Sequence, residues 1–347
     1  MESLPPVKLM SFTMSAVLIC VSPPSLSAQT FDAQGGDASK SWTTTTESPT
    51  SDTNPTRTTE SHTRSGNRTV DSQSVERLGP NGHQEPYFDI DKESTQVDAT
   101  TVRTVVRTFG RGGNGQKILT QVTEEERHGL PGGNEKVVRT TSNPELEGQL
   151  HIVQREFADT KKTSPDVRET KTTVFLSDGS GGLAPSMQTQ EREKRSSDHT
   201  VEVQKSTLLL DGAGNWQVNE LKESTIKENG KERTTDERVS RRGSDDKLAV
   251  VSRTVGKESE SASGEKNSTV ETYSTDFPGS APDGNLHLSQ RVTTVNRARS
   301  DGGQATEQQR EQPNPGDPGA GLRATTKTID IVQCFPSSAI TPKSNRQ

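Results

Sequence analysis

The alternation of apolar and polar positions is clearest at residues 208–218, where an apolar run, a glycine-rich turn and an alternating segment follow one another. Residues 208–210 are leucines, and residues 211–215 read Asp-Gly-Ala-Gly-Asn, a composition that tolerates the positive φ of a tight reversal. Trp216 and Val218 lie two positions apart and therefore share one face of a strand. This stretch predicts a β-hairpin.

The same pattern recurs along the chain at a nearly constant interval. Glycines separated by 33 residues mark five turns: Gly82, Gly115, Gly148, Gly181 and Gly214. One further step of 33 reaches Lys247, and Gly284 and Gly321 follow at intervals of 37. Apolar residues two or four positions apart follow seven of these turns: Ile118 with Val122, Leu150 with Ile152, Leu183 with Met187, Trp216 with Val218, Leu248 with Val250, Leu286 with Leu288, and Leu322 with Ala324.

A fixed period with phased apolar residues is typical of repeat proteins. The sequence therefore predicts an all-β fold, an antiparallel β-hairpin repeat array of about 33–37 residues per unit with a disordered N-terminal segment. It leaves open whether the sheet closes into a barrel, stacks or stays open.

Four segments are expected along the chain. Residues 1–28 are typical of a secretory signal peptide, with an apolar stretch followed by small residues. Residues 29–70 are rich in Ser and Thr and predict a disordered spacer. Residues 71–335 form the β-hairpin repeat region, and residues 336–347 are expected to be a disordered C-terminal end.

Composition limits the core that the chain can build. Hydrophobic residues make up 25% of the sequence and the mean hydropathy is −0.90. The net charge of −6 is small, and acidic and basic residues are mixed, so a nucleic-acid-binding surface is not expected. The charged runs 124–127 and 191–195 are interpreted as solvated strand ends. A sheet with one thin apolar face remains compatible with this composition.

Three turns resemble a known repeat family. Residues 178–183 and 211–216 have the form D-x-x-G-x-L/W, and residues 145–150 are close to it. This resembles the core of the YD or Rhs-type β-hairpin repeats of bacterial surface and toxin-delivery proteins, although the tyrosine before the Asp is missing here. The resemblance implies an extended β-sheet that encloses or displays something, and it does not imply an enzyme.

The sequence offers no catalytic, cofactor-binding or metal-binding residue that can be assigned. Residues 110–115 fit G-x-G-x-x-G, but the segment after them predicts a strand where a dinucleotide site requires a helix. The six histidines are scattered, and after signal removal Cys334 is the single cysteine. The Asp-Gly turns each offer one or two carboxylates, so calcium binding remains an open alternative.

The first functional hypothesis is a secreted or envelope-associated bacterial protein without enzymatic activity, with a structural or surface-binding role. Its expected location is secreted, periplasmic or at the cell surface. Its expected partner is a cell-surface component or an extracellular polymer, with no nucleic acid and no membrane span after signal removal. Two alternatives remain: an extracellular polymer hydrolase, and a largely disordered chain that folds on a partner.

Overall fold

The computed structural model describes residues 40–48, 56–79, 81–145, 147–276, 284–299, 304–314 and 317–336. These residues form 18 β-strands and a single 3-10 turn, Pro131–Gly133. The strands are β1 (Lys40–Ser48), β2 (Thr56–Ser65), β3 (Arg68–Leu78), β4 (Gln84–Gln96), β5 (Thr101–Arg111), β6 (Lys117–Leu130), β7 (Asn134–Pro144), β8 (Leu150–Ser164), β9 (Val167–Ser177), β10 (Leu183–Arg195), β11 (Thr200–Leu210), β12 (Trp216–Asn229), β13 (Glu232–Arg242), β14 (Leu248–Glu260), β15 (Lys266–Ser274), β16 (His287–Ala298), β17 (Gln304–Asn314) and β18 (Asp317–Pro336).

The sheet is a closed ring. Each strand pairs antiparallel with the strands before and after it in the sequence, and β1 pairs with both β2 and β18. The β1–β18 ladder runs from Trp42 opposite Pro336 to Glu47 opposite Ile331. The predicted all-β antiparallel architecture is confirmed. The linear repeat array is not the fold, because the last strand returns to the first and removes both sheet edges.

The recurring turns have one backbone design. In the turn between β11 and β12, Asp211 N–H donates to the Asn215 carbonyl at 2.9 Å, and Gly214 N–H donates to the Asp211 carbonyl at 3.0 Å. Gly214 has φ +83°, which matches a three-residue hairpin loop whose last residue is left-handed. The equivalent left-handed residues of the matching turns are Gly82, Gly115, Gly148, Gly181 and Asp246. Gly284 and Gly321 also have a positive φ, and Gly321 lies within β18. In the sixth of the matching turns the left-handed residue is Asp246, and not Lys247, which the 33-residue interval indicates. We call this end of the barrel the glycine-turn end.

A β-bulge follows most of these turns. In β12 the register shifts between Thr207 and Leu208, so that Asn219 has no residue directly opposite it. The corresponding unpaired residues in β4, β6, β8 and β10 are Tyr87, Thr120, Val153 and Ser186. Each bulge reverses the face on which the residues next to the turn lie, because side chains alternate along a strand.

The folded region begins earlier in the chain than residue 71. Strands β1 and β2 and the start of β3 lie within residues 29–70, the segment expected to be a disordered spacer. Thr is favoured in strands, and closure of the ring gives β1 hydrogen-bonding neighbours on both sides, β2 and β18. The expected signal segment, residues 1–28, and the end beyond residue 336 lie outside the described residues. Cys334 lies in β18 opposite Thr44, and its side chain is outside the described part of the chain.

Buried apolar side chains are few in the described part of the chain and do not form one core, because Val75 and Val174 lie on one face of the sheet and Val122 and Leu208 on the other. Among the described residues, the buried apolar side chains are Val75, Val122, Val174 and Leu208. This agrees with the low hydrophobic content of the sequence. The ladders of backbone hydrogen bonds, closed into a ring, therefore provide most of the order in this fold.

Candidate functional site

The two faces of the sheet differ in how closely their side chains crowd together. Along β6, Glu125 retains 17% of its side-chain exposure, whereas its neighbours Glu124 and Glu126 retain 53% and 52%. Side chains converge on the concave side of a closed sheet and diverge on the convex side. Glu125 therefore lies on the inner wall of the barrel, and Glu124 and Glu126 lie on the outer wall.

The inner wall is lined by paired charges. Arg139 on β7 donates to Glu125 on β6 at 2.6 Å and to Glu156 on β8 at 3.1 Å. Arg127 on β6 contacts Glu135 on β7 at 3.3 Å. Further along the same wall, Lys222–Glu237, Arg241–Glu220, Arg233–Glu258 and Lys205–Glu191 bridge neighbouring strands. The lumen therefore presents fixed charges of both signs.

The pKa values of both Glu125 and Arg139 on this wall are shifted from their ordinary values. Burial acts to raise the pKa of Glu125, but hydrogen bonds from Arg139 and Arg127 outweigh it and hold the pKa below its usual 4.5. Burial likewise acts to lower the pKa of Arg139, and the bonds to Glu125 and Glu156 reverse that effect. Both groups are therefore charged at neutral pH.

A cavity of about 300 Å³ lies on the inner wall across β6 to β10. Its polar lining includes Arg127, Glu135, Arg168, Thr170, Glu191 and Glu193. Arg168 approaches Glu135 only to 3.9 Å and Glu191 approaches Lys205 only to 3.8 Å, so both keep most of their hydrogen-bonding capacity. Arg127, Glu191 and Glu193 belong to the charged runs 124–127 and 191–195, which the sequence predicts only to be solvated strand ends. Acidic and basic residues alternate in 191–194, but this alternation does not tell which face of the sheet is concave.

The outer wall is also charged over most of its height. Outward residues in the middle of β5 to β10 include Arg103, Arg107, Glu124, Glu126, Lys136, Arg155, Asp159, Lys171, Arg192 and Lys194. A basic residue facing hydrocarbon at the middle of a bilayer costs about 2–4 kcal/mol in a barrel. This part of the wall is suited to water.

Apolar residues on the outer wall are concentrated near the glycine-turn end. We call this set the apolar belt, and it comprises Leu150, Ile152, Leu183, Pro185, Leu208, Leu210, Trp216, Val218, Leu248 and Val250. The bulges place them outward: beyond Asn219, Trp216 and Val218 pair with Leu210 and Leu208 on the outer face. Two residues per strand span about 7 Å along the strand. Further outward apolar residues, among them Val122, Phe157 and Phe175, lie among charged residues of the same wall, whereas a membrane-spanning barrel carries a continuous apolar band of about 25 Å.

The turn aspartates serve their own turns. Asp211 Oδ1 accepts hydrogen bonds from Ala213 N–H at 2.9 Å and Asn215 N–H at 2.8 Å. Asp178 Oδ1 accepts from Ser180 and Gly182 in the same way. The backbone bonds to Asn215 and to Ser180 lower the pKa of Asp211 and Asp178 respectively. These hydrogen bonds stabilise the turns. They account for Asp at these positions without requiring it to be a metal ligand.

The glycine-rich segment 110–115 closes the β5–β6 hairpin. Gly112 N–H donates to the Gln116 carbonyl at 2.9 Å, and β6 begins at Lys117. No three or more His, Cys, Asp or Glu among the described residues are grouped so as to hold a metal ion. Within the same part of the chain, no helix is long and apolar enough to cross a membrane.

Comparison with known proteins defines the fold. No family model matches the chain, and no curated protein matches its sequence. The structure is similar to OccK5 (OpdH) of Pseudomonas aeruginosa, with a TM-score of 0.55 and 7% identity over 86% of this chain and 98% of that one. It is also similar to OccK11 (OpdR) of the same organism, with a TM-score of 0.53 and 10% identity over 88% and 99%. At these identities the likeness shows a shared fold, that of porin β-barrels.

This likeness corrects three expectations. The resemblance to YD or Rhs-type repeats is wrong, because the structural neighbours are porins. The hypothesis of a secreted, non-enzymatic β-repeat protein with a structural or surface-binding role is wrong on the same finding. Neither the polymer hydrolase nor the chain that folds on a partner is supported. The shared turn chemistry of residues 178–183 and 211–216 is local, and the same turn closes hairpins in unrelated folds.

Proposed function

We propose that the barrel is a water-filled conduit for small hydrophilic solutes in the cell envelope. The observation that carries the proposal is the β1–β18 ladder, which closes the sheet around a lumen lined by charged side chains. Barrels of 16–18 strands are wide enough to leave an aqueous channel. Polar groups on the inner wall supply hydrogen-bond partners to solutes that leave bulk water.

The outer wall determines where such a conduit lies. Charged residues such as Arg103, Glu124 and Lys171 cover the outer face between the apolar belt and the opposite end. We propose that this part of the wall faces water or protein within the envelope. A freely secreted location is not retained, because the porin fold is a fold of envelope proteins.

The lumen is tested with one pair of adjacent valines. Val106 lies on the inner wall, where it lines a second cavity, and Val105 lies on the outer wall opposite Glu124. In a full chain carrying Cys20→Ser and Cys334→Ser, the variants Val106→Cys and Val105→Cys are treated with a small maleimide and with a maleimide on a large branched polymer. We expect the small reagent to label both variants. The polymer reagent should label Val106→Cys at least about tenfold more slowly than Val105→Cys, because the lumen excludes it.

Equal labelling of both cysteines by the polymer reagent contradicts an enclosed lumen. The position in the envelope is tested separately with dye-loaded phospholipid vesicles. The charged outer wall predicts no dye release by the full chain. Dye release with a size limit matching the labelling result would support the conduit. It would overturn the proposal that the outer wall faces water, because the barrel would then span lipid.

A further inference from the structure

The inner-wall cavity across β6 to β10 contains two oppositely charged groups, each of which makes one long ion pair. Arg168 makes no side-chain hydrogen bond among the described residues, and its contact is Glu135 at 3.9 Å. Glu191 contacts Lys205 at 3.8 Å. By contrast, Arg139 is engaged by both Glu125 and Glu156. Beyond these two long ion pairs, Arg168 and Glu191 therefore keep hydrogen-bonding capacity for a ligand.

The register fixes the backbone positions from which the two side chains extend. On adjacent strands, Arg168 is paired with Glu193 and Thr170 is paired with Glu191, so Arg168 and Glu191 are diagonal neighbours. Diagonal positions on antiparallel strands are about 7–8 Å apart between backbones. Thr170 lies between them and hydrogen-bonds to Thr160 at 3.0 Å. A ligand that binds both groups must carry a negative and a positive charge separated by a few bonds.

We propose that this cavity binds a zwitterionic solute of the ω-amino acid class, with its carboxylate on Arg168 and its ammonium group on Glu191. A guanidinium binds a carboxylate through two parallel hydrogen bonds, and an ammonium group donates to a carboxylate. A simple anion meets Glu191, Glu193 and Glu135, and a simple cation meets Arg168, so each is disfavoured by the group that it does not match. The inference deepens the proposed conduit, because it names a solute class for its inner wall.

A matched series of three probes tests the charge requirement. 4-Aminobutanoate carries both charges, butanoate carries the negative one alone and butylamine carries the positive one alone. Each is titrated into the full-length protein and followed by calorimetry or by chemical shift. We expect saturable binding of 4-aminobutanoate. The affinities for butanoate and for butylamine should each be at least about fivefold weaker.

Charge-removing variants assign the binding to the two residues. Arg168→Gln and Glu191→Gln are each expected to weaken 4-aminobutanoate binding about fivefold, whereas Arg192→Gln on the outer wall leaves it unchanged. Equal binding of all three probes, or a loss in Arg192→Gln equal to that in Arg168→Gln, would overturn the proposal. Absence of 4-aminobutanoate binding in a protein whose Val106→Cys variant still excludes the polymer reagent overturns this site alone. Polymer labelling of Val106→Cys at the outer-wall rate overturns the conduit instead.

Discussion

Arg139 of β7 and Glu125 of β6 are direct cross-strand partners, with Arg139 Nη2 2.6 Å from Glu125 Oε2 on the inner wall. Replacing the arginine leaves the carboxylate of Glu125, which is 17% exposed, without its main donor. Because Arg139 itself is 43% exposed, solvent screening reduces the loss, and we expect Arg139→Gln to lower the free energy of unfolding by about 1 kcal/mol. Urea unfolding followed by circular dichroism measures it.

The matched control for this substitution lies on the outer wall. Arg103 contacts Glu124 at 3.4 Å, and both side chains are more than half exposed. Arg103→Gln is therefore expected to change stability by less than about 0.5 kcal/mol. If Arg139→Gln and Arg103→Gln lower the free energy of unfolding equally, the ion pair on the inner wall contributes no more than the one on the outer wall. The assignment of the concave face would then be wrong.

Acid is expected to weaken the barrel through Glu125. Its folded-state pKa lies below the ordinary 4.5, so its contribution to stability is present above pH 4.5 and is lost as the pH falls through the folded value. The urea midpoint of the natural protein should therefore decline below about pH 4.5, and Glu125→Gln should show a shallower decline. The titration of both proteins between neutral pH and pH 3 tests this, and parallel curves would contradict it.

The turn residues show how far sequence reasoning extends. Glycine spacing identifies the reversals, because a left-handed φ is a local demand that few residues meet. Gly82 and Gly214 have φ +78° and +83° as this demand requires. The sixth turn is one residue away from the position that the period indicates, since Asp246 takes the left-handed conformation at φ +62°.

Closure of the sheet and the identity of its faces are not local properties. The strand β1 comes from a Thr-rich segment that resembles a spacer, and its partner β18 lies almost 300 residues further along the chain. The bulge at Asn219 moves Trp216 and Val218 to the outer face, which alternation alone does not reveal. The cavity around Arg168 lies on the face that closure makes concave, so the sequence alone does not reveal it.

The left-handed aspartate offers a stabilising substitution. A non-glycine residue with φ +62° is strained by its Cβ, and the Asp246 carboxylate contributes little because it is 85% exposed. Asp246→Gly is therefore expected to raise the free energy of unfolding by up to about 1 kcal/mol. Asp245→Gly, whose φ is not positive, is the control and should give no gain because glycine adds entropy to the unfolded chain. A gain in the control equal to that in Asp246→Gly would show that strain at residue 246 is not the cause.

The seam between the first and last strands allows a direct test of closure with a natural cysteine. Thr44 and Cys334 are direct cross-strand partners in the β1–β18 ladder, which has six residue pairs. Partners in an antiparallel pair have Cα atoms about 4.5–5.5 Å apart, within the range that a disulfide spans. In a Cys20→Ser background, Thr44→Cys is therefore expected to form an intramolecular disulfide with Cys334 under mild oxidation and to raise the free energy of unfolding by about 3 kcal/mol.

The adjacent position supplies the control for the seam. Thr45 is paired with Gln333 and not with Cys334, so Thr45→Cys is out of register for a disulfide with Cys334 and should remain reduced. Non-reducing electrophoresis and mass spectrometry of peptides containing residues 44 and 334 distinguish the two variants. Since the lumen exists only if the ring is closed, failure of Thr44→Cys to crosslink in a folded protein would reject the closed barrel, and the conduit with it. Crosslinking in Thr44→Cys alone would fix both the pairing and the register of the strands that complete the ring.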